Sequence, residues 1–218
     1  MEKIILTTFT DPMMGLTYEQ EPVYEKLAEH FGDLLVFNYV MSGLVRDVSD
    51  FMLPQELVLP AEAGIRAYNR RLAKIYKSEE SISGLPINMD GFHLFDSRHR
   101  SSYPLCIAYK AAQICDPVKA DNFLMRLRRA TIVEARQTTK KEELVRVAKD
   151  VNMSENDFLN AFEDGRAEKA FREDFKLTGS LGIHSLPSCL IRYGKKTILV
   201  NGMMAYEGFI SAIEGLLE

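Results

Sequence analysis

Residues 3–9, Lys-Ile-Ile-Leu-Thr-Thr-Phe, form a β-rich run that the turn pair Asp11-Pro12 interrupts. Residues 18–31 then carry Val23, Leu27 and Phe31 at helical spacing. Gly32-Asp33 stops that helix, and residues 34–41 are mostly apolar, as expected of a strand covered on both faces. Strand, helix and strand of these lengths predict a βαβ unit with parallel strands and a right-handed crossover. From about residue 54 to residue 178 only the helical period remains, with helices predicted over 55–76, 102–115, 117–136, 140–150, 154–165 and 166–176. Thr138-Thr139 with Glu142, and Ser154 with Asp157, have the spacing of capping boxes. Residues 78–100, rich in Gly, Ser and Pro, read as a long flexible or functional connection. The chain then returns to β over 188–193 and 197–200, with Gly194-Lys195-Lys196 as a hairpin signal, and closes on an amphipathic helix over 205–217. The order β-α-β, helical block, β-β-α predicts an α/β sandwich split by a helical insertion.

With 218 residues, 46% of them hydrophobic, the chain can build one large domain or two small ones around a real core. Its 27 Lys+Arg against 31 Asp+Glu leave a net charge of -4, which argues against nucleic acid or an anionic membrane as partner. No apolar run approaches the roughly 20 residues of a membrane span, and the stretch from Met1 to Phe9 is too short for a signal peptide. A cytoplasmic location is therefore expected. Three scattered cysteines, Cys106, Cys115 and Cys189, give no disulfide framework and read as core thiols in a reducing compartment. On one helix, Cys106 and Cys115 would lie on opposite faces roughly 13 Å apart, beyond disulfide reach. His30, His93, His99 and His184 share no zinc spacing with them, so no metal is expected.

The segment Phe9-Thr10-Asp11-Pro12-Met13-Met14-Gly15-Leu16-Thr17-Tyr18-Glu19-Gln20-Glu21-Pro22 is similar to the DsbA-family pattern of Asp-Pro, one residue, Cys-x-x-Cys, an aromatic residue and Glu-Pro. Residues 39–52 resemble the second strand and following loop of the dithiol-disulfide isomerase branch of that family. Residues 101–112 and 123–130 resemble its insert helices. Gly182-Ile183-His184-Ser185-Leu186-Pro187-Ser188 resembles its Gly-Val-x-x-x-Pro-Thr/Ser loop, whose proline is cis. The resemblance implies a thioredoxin fold formed by residues 1–53 and 179–218, with an all-helical domain, 54–178, inserted between its halves.

The frame matches, but the chemistry does not. Met14 stands where the attacking cysteine would be and Thr17 where the resolving cysteine would be. Disulfide exchange needs a thiolate, favoured at a helix N-terminus, and a second thiol to resolve the mixed disulfide. A thioether cannot ionise and an unassisted hydroxyl stays protonated, so the degenerate positions Met14, Gly15, Leu16 and Thr17 offer neither step. Whether the chain is an enzyme stays open at this point. The leading expectation is an adaptor that binds an extended protein or peptide segment through Met13, Met14, Thr17, Tyr18, Leu186 and Pro187, with no cofactor. The resemblance supplies a precedent, because some cytoplasmic members of the wider superfamily act as adaptors for protein degradation. It also supplies alternatives. Kappa-class glutathione transferases and hydroxychromene carboxylate isomerases share the split fold and keep a serine at the position of Met14, so a glutathione-dependent reaction would fall to Thr17 here. Weak disulfide exchange would fall to Cys189, two residues past Pro187.

The remaining polar residues carry bland readings. Nothing in the sequence brings Glu21, His184 and Thr17 together. Arg126, Arg128, Arg129 and Arg136 invite a phosphate-binding reading, but Arg128 and Arg129 alternate with Leu124, Leu127, Ile132 and Val133, so a solvated outer face is expected instead. Met13, Met14, Met203 and Met204 would make a soft peptide-binding surface if they converged near Pro187.

Overall fold

A computed structural model describes residues 2–218; Met1, part of the leader-peptide reading, lies outside the described residues. Strand β1 (Ile4–Thr10) runs through helix α1 (Gly15–Phe31) into the parallel strand β2 (Leu35–Met41). At the other end of the chain β3 (Ser188–Tyr193) pairs antiparallel with β1, and β4 (Lys196–Asn201) antiparallel with β3, so the sheet order is β2-β1-β3-β4. Between β2 and β3 lie α2 (Pro54–Leu57), α3 (Ala61–Glu79), α4 (Tyr103–Cys115), α5 (Ala120–Ile132), α6 (Lys141–Asp150), α7 (Glu155–Glu163) and α8 (Arg166–Ser180), and α9 (Tyr206–Leu217) closes the chain. This is the split thioredoxin fold.

The period of two along β1 sets the core. Ile4 and Leu6 enter a cluster with Leu27 of α1, Ile191 of β3 and Phe209 and Ile213 of α9, whereas Phe9 packs with Val40 and Ile183. The larger cluster fills the helical block, and Met13, Tyr18, Tyr39 and Met41 belong to it. The first turn of α1 and the end of β2 therefore pack on the inserted helices. Asp174 of α8 fastens this contact by accepting from the Met41 N–H at 2.9 Å while paired with Lys110 at 3.0 Å.

Several local expectations change. The helix expected over 55–76 is two helices, because Pro60 lacks the N–H that would continue the first and stands at the N-cap of α3. The connection over 78–100 is packed, not loose: Ile87, Phe92, Leu94 and Phe95 are buried, and the Asn69 amide holds the Phe95 backbone. Ser154 does cap α7 by accepting from the Asp157 N–H, but α6 starts after Lys140 without a side-chain cap. Thr139 there donates to the Leu94 carbonyl instead, and Thr138 shares a 2.7 Å bond with Thr131. The hairpin loop is Gly194-Lys195, since Tyr193 pairs with Lys196. Cys106 and Cys189 are buried and Cys115 is half-buried; all three are free thiols.

The largest correction concerns Arg128. It is 0% exposed, with its guanidinium 3.2 Å from Glu21 of α1 and over the Tyr39 ring. Leu124, Arg128 and Ile132 stand four residues apart on one helical stripe, so Arg128 follows the apolar face inward while Arg129 stays outside. Arg126 and Arg136 form a partly buried network with Glu134, Glu143 and Asp150.

Candidate functional site

The end of β1 leads directly into the degenerate motif. The Asp11 carbonyl accepts from the Met14 N–H at 3.0 Å and its Oδ1 from the Met13 N–H at 3.1 Å, an Asx turn that starts α1. The other carboxylate oxygen accepts from the Leu44 N–H (2.8 Å), the Ser102 hydroxyl (2.6 Å) and the Cys106 thiol (3.3 Å). Asp11 is fully buried and joins β1, the loop after β2 and α4. Burial pushes its carboxyl above the usual range while these donors pull it back.

Above this floor Met14 and Thr17, the positions that the resemblance aligns with the two cysteines, meet across Thr10. The Thr10 hydroxyl lies 2.8 Å from the Thr17 hydroxyl and 3.9 Å from Met14 Sδ, and all three side chains are buried. Thr17 is bonded to a hydroxyl and not to a base, so it is not an activated nucleophile. Burial also pushes the thiols of Cys106 and Cys189 up, which keeps them protonated at neutral pH.

Beside the turn lies a groove of about 250 Å³ whose walls include Met13, Met14, Leu16, Leu44, Phe51 and Leu186. Leu72 and Ile75 of α3 form the opposite wall, with Glu79 at its end. The Leu186-Pro187 peptide is cis. The Pro187 carbonyl accepts from the Gly202 N–H at 2.8 Å and the Ser185 carbonyl from the Ser188 hydroxyl at 2.7 Å. No hydrogen bond among the described residues takes up the Leu186 N–H or C=O.

Of the residues expected to form the site, Met13, Met14 and Leu186 come together in this groove. Thr17 and Tyr18 face the interior, Tyr18 donating to the Pro86 carbonyl, and Pro187 is buried. Glu21, His184 and Thr17 do not meet: Glu21 is paired with Arg128, and His184 is exposed. Met204 packs among the side chains between α1 and α9 and its backbone is held by Gln20, so the four methionines do not converge.

Sequence reasoning missed Glu79. A side chain at Gly15 would meet the Glu79 carboxylate and crowd the Tyr76 ring. Glu79 Oε2 is buried without a hydrogen-bond partner, as is Oε1 of neighbouring Glu19, whose other oxygen accepts from the Ser83 N–H and hydroxyl. Burial, and then the charge of Glu19, push the Glu79 carboxyl up to about 7. The only sequence signal was the glycine itself, and it pointed to no particular neighbour.

Among the described residues no group of three or more His, Cys, Asp or Glu could hold a metal ion, and no helix is long and apolar enough to cross a membrane. A larger hollow of about 590 Å³ lies on the helical block, but its arginines 126 and 136 are occupied by the carboxylates around them.

A β2-β1-β3-β4 sheet, helices inserted between β2 and β3, and a cis-proline loop beside the first turn of α1 define a DsbA-like protein of the thioredoxin fold. The chain belongs to the thioredoxin family whose model matches residues 7–210. It is 22% identical over 213 residues to the ClpXP adapter protein SpxH of Halalkalibacterium halodurans, covering 96% of this chain and 66% of that one. The chain thus spans about two thirds of the length of that relative. Among solved structures it resembles a Nitrosomonas europaea protein described as a candidate protein disulfide isomerase, with a TM-score of 0.79, 19% identity and coverage of 99% and 98%. It also resembles the cytosolic disulfide reductase DsbM of Pseudomonas aeruginosa, with a TM-score of 0.71, 19% identity and 98% of each chain covered.

Proposed function

We propose that this protein is a thioredoxin-fold adapter without redox chemistry, which holds an extended segment of another protein in the groove beside Leu186. One observation carries the reading: where this fold would place reactive thiols, the chain has a groove walled by methionine, leucine and phenylalanine side chains and no cysteine. Methionine-rich walls adapt to varied apolar side chains. The open backbone groups of Leu186 would pair with an extended chain in the manner of strand addition. The name of the relatives, ClpXP adapter protein, supports delivery of the bound protein to a protease as the purpose.

A photo-crosslinking residue placed at Phe51, on the groove rim, tests this in the native host. The expected result is one dominant protein partner whose half-life lengthens when the gene is deleted or when Leu186→Asp blocks the groove. A partner pool unaffected by Leu186→Asp overturns the reading. In a disulfide-reduction assay the wild type is expected to be silent, and Met14→Cys/Thr17→Cys to gain activity on the retained frame. An active wild type would return the chemistry to Cys189.

A glutathione-dependent reaction is the alternative reading, supported by the likeness to DsbM, which has also been solved with GSH. The site favours it less: Thr17 is buried against Thr10, and Glu79 would face an anionic tripeptide. Titration with glutathione, read by calorimetry, is expected to show no binding.

A further inference from the structure

The groove walls are apolar apart from Arg71 and two tyrosines, and at the groove's end the Glu79 carboxylate meets the first turn of α1. Its Oε2 is shielded from water and accepts no hydrogen bond, a costly state for a carboxylate. Of the cations close in sequence, Lys74 lines a different hollow, and Arg71 and Lys77 are taken. Arg71, on the same wall, is held by Glu56 at 2.9 and 3.0 Å and by the Phe51 carbonyl. Lys77 is held by Glu80 and the Ile87 carbonyl. The charge that acts on the Glu79 carboxyl is that of another acid, Glu19, whose Oε1 is likewise buried without a hydrogen-bond partner.

Resting on the reading of the groove as a protein-binding site, we propose that the segment it takes carries a lysine or arginine flanked by apolar residues, and that this cation pairs with Glu79. The apolar neighbours of the cation occupy the space between Met13, Leu44 and Leu186, while its aliphatic stem crosses the Leu72 and Ile75 wall. The ammonium or guanidinium then supplies the donor that Glu79 lacks. Pairing with a carboxylate that has one oxygen already shielded from water is a charge-assisted bond made with less further desolvation than at an exposed acid. Glu79 thereby sets which segments are taken, and the methionine and leucine walls set that they are apolar.

Structural capping of α1 is the competing role for Glu79, because a carboxylate near a helix N-terminus stabilises the helix. The two roles separate in one experiment. A phage-displayed library of random dodecapeptides is selected on the full wild-type chain and on Glu79→Gln, which keeps the shape of the side chain. The wild type is expected to enrich peptides with a Lys or Arg between Leu, Ile or Phe residues, and Glu79→Gln to lose the basic residue while keeping the apolar ones. For one selected peptide made synthetically, changing its Lys to Gln is expected to weaken binding to the wild type about tenfold and to leave binding to Glu79→Gln unchanged. Wild-type peptides that are apolar without a basic residue overturn this inference and leave the groove reading standing. Selection of no groove-dependent peptide, judged by competition with Leu186→Asp, removes the groove reading itself. A Glu79→Gln protein with lower thermal stability and unaltered peptide preference assigns the residue to capping.

Discussion

Two carboxylates flank the first turn of α1, and the structure treats them in opposite ways. Asp11, beneath the turn, accepts from two backbone N–H groups, one hydroxyl and one thiol. Glu79, on the groove side, has a buried oxygen that accepts from nothing. Satisfied buried acids hold a fold together, whereas unsatisfied ones reduce its stability and persist where binding needs them. Under the proposed function, the contrast separates a hydrogen-bonded scaffold beneath the turn from a groove surface beside it.

The strongest way to break this comparison is to remove the satisfied acid. Asp11→Ala strands the Leu44 and Met13 N–H groups in a sealed interior and removes the strongest acceptor of the Ser102 hydroxyl, and is expected to cost about 4 kcal/mol. Urea unfolding followed by circular dichroism measures it. A loss below about 1 kcal/mol would mean that the network around Asp11 is replaceable and that the contrast with Glu79 has no energetic content.

A second satisfied acid sharpens it. Glu21 is the carboxylate partner of the fully buried Arg128, whose Nε and second Nη have no protein acceptor. Glu21→Ala leaves an unpaired guanidinium between α1 and α5 and is expected to cost about 3 kcal/mol. Glu21→Ala with Arg128→Met removes both charges, and the pair is expected to recover most of that loss. The same unfolding measurement reads the coupling.

The division between scaffold and site also marks what could be read from the sequence. Strands, α1, the helical block and the closing ββα followed from periodicity, because residues such as Ile4, Leu6 and Leu27 are buried by the repeat that places them. The Asp-Pro frame and the loop around Pro187 pointed to residues that line one groove. Arg128 was misread because its charge outweighed its place on the Leu124–Ile132 stripe. Glu79 could not be found at all. Its partner in space is Gly15, 64 residues earlier, and only the tertiary approach of the end of α3 to the first turn of α1 joins them. Thr17 failed as a surface residue for a related reason: the turn that would expose a thiol directs this hydroxyl to Thr10.

The smallest expected effect tests the unsatisfied acid through its titration. Folding raises the Glu79 carboxyl from 4.5 to about 7, so the folded chain holds this proton more tightly than the unfolded one. Below about pH 4.5 the group is protonated in both states and costs nothing. As pH rises from there through 7 the unfolded state loses its proton first, and folding stability falls until the folded carboxyl ionises too. Glu79→Gln has no such loss. Its melting temperature is expected to match the wild type at pH 4.5 and to exceed it above pH 7.5, by on the order of 2–4 °C for a chain of this size. Differential scanning calorimetry at the two pH values makes the measurement. A variant that melts below the wild type at pH 7.5 would show that Glu79 is satisfied after all, by the N-terminus of α1, and the two carboxylates would then belong to one class. A bound lysine-containing peptide should reverse the order at the higher pH, because the cation stabilises the ionised carboxylate that burial alone disfavours.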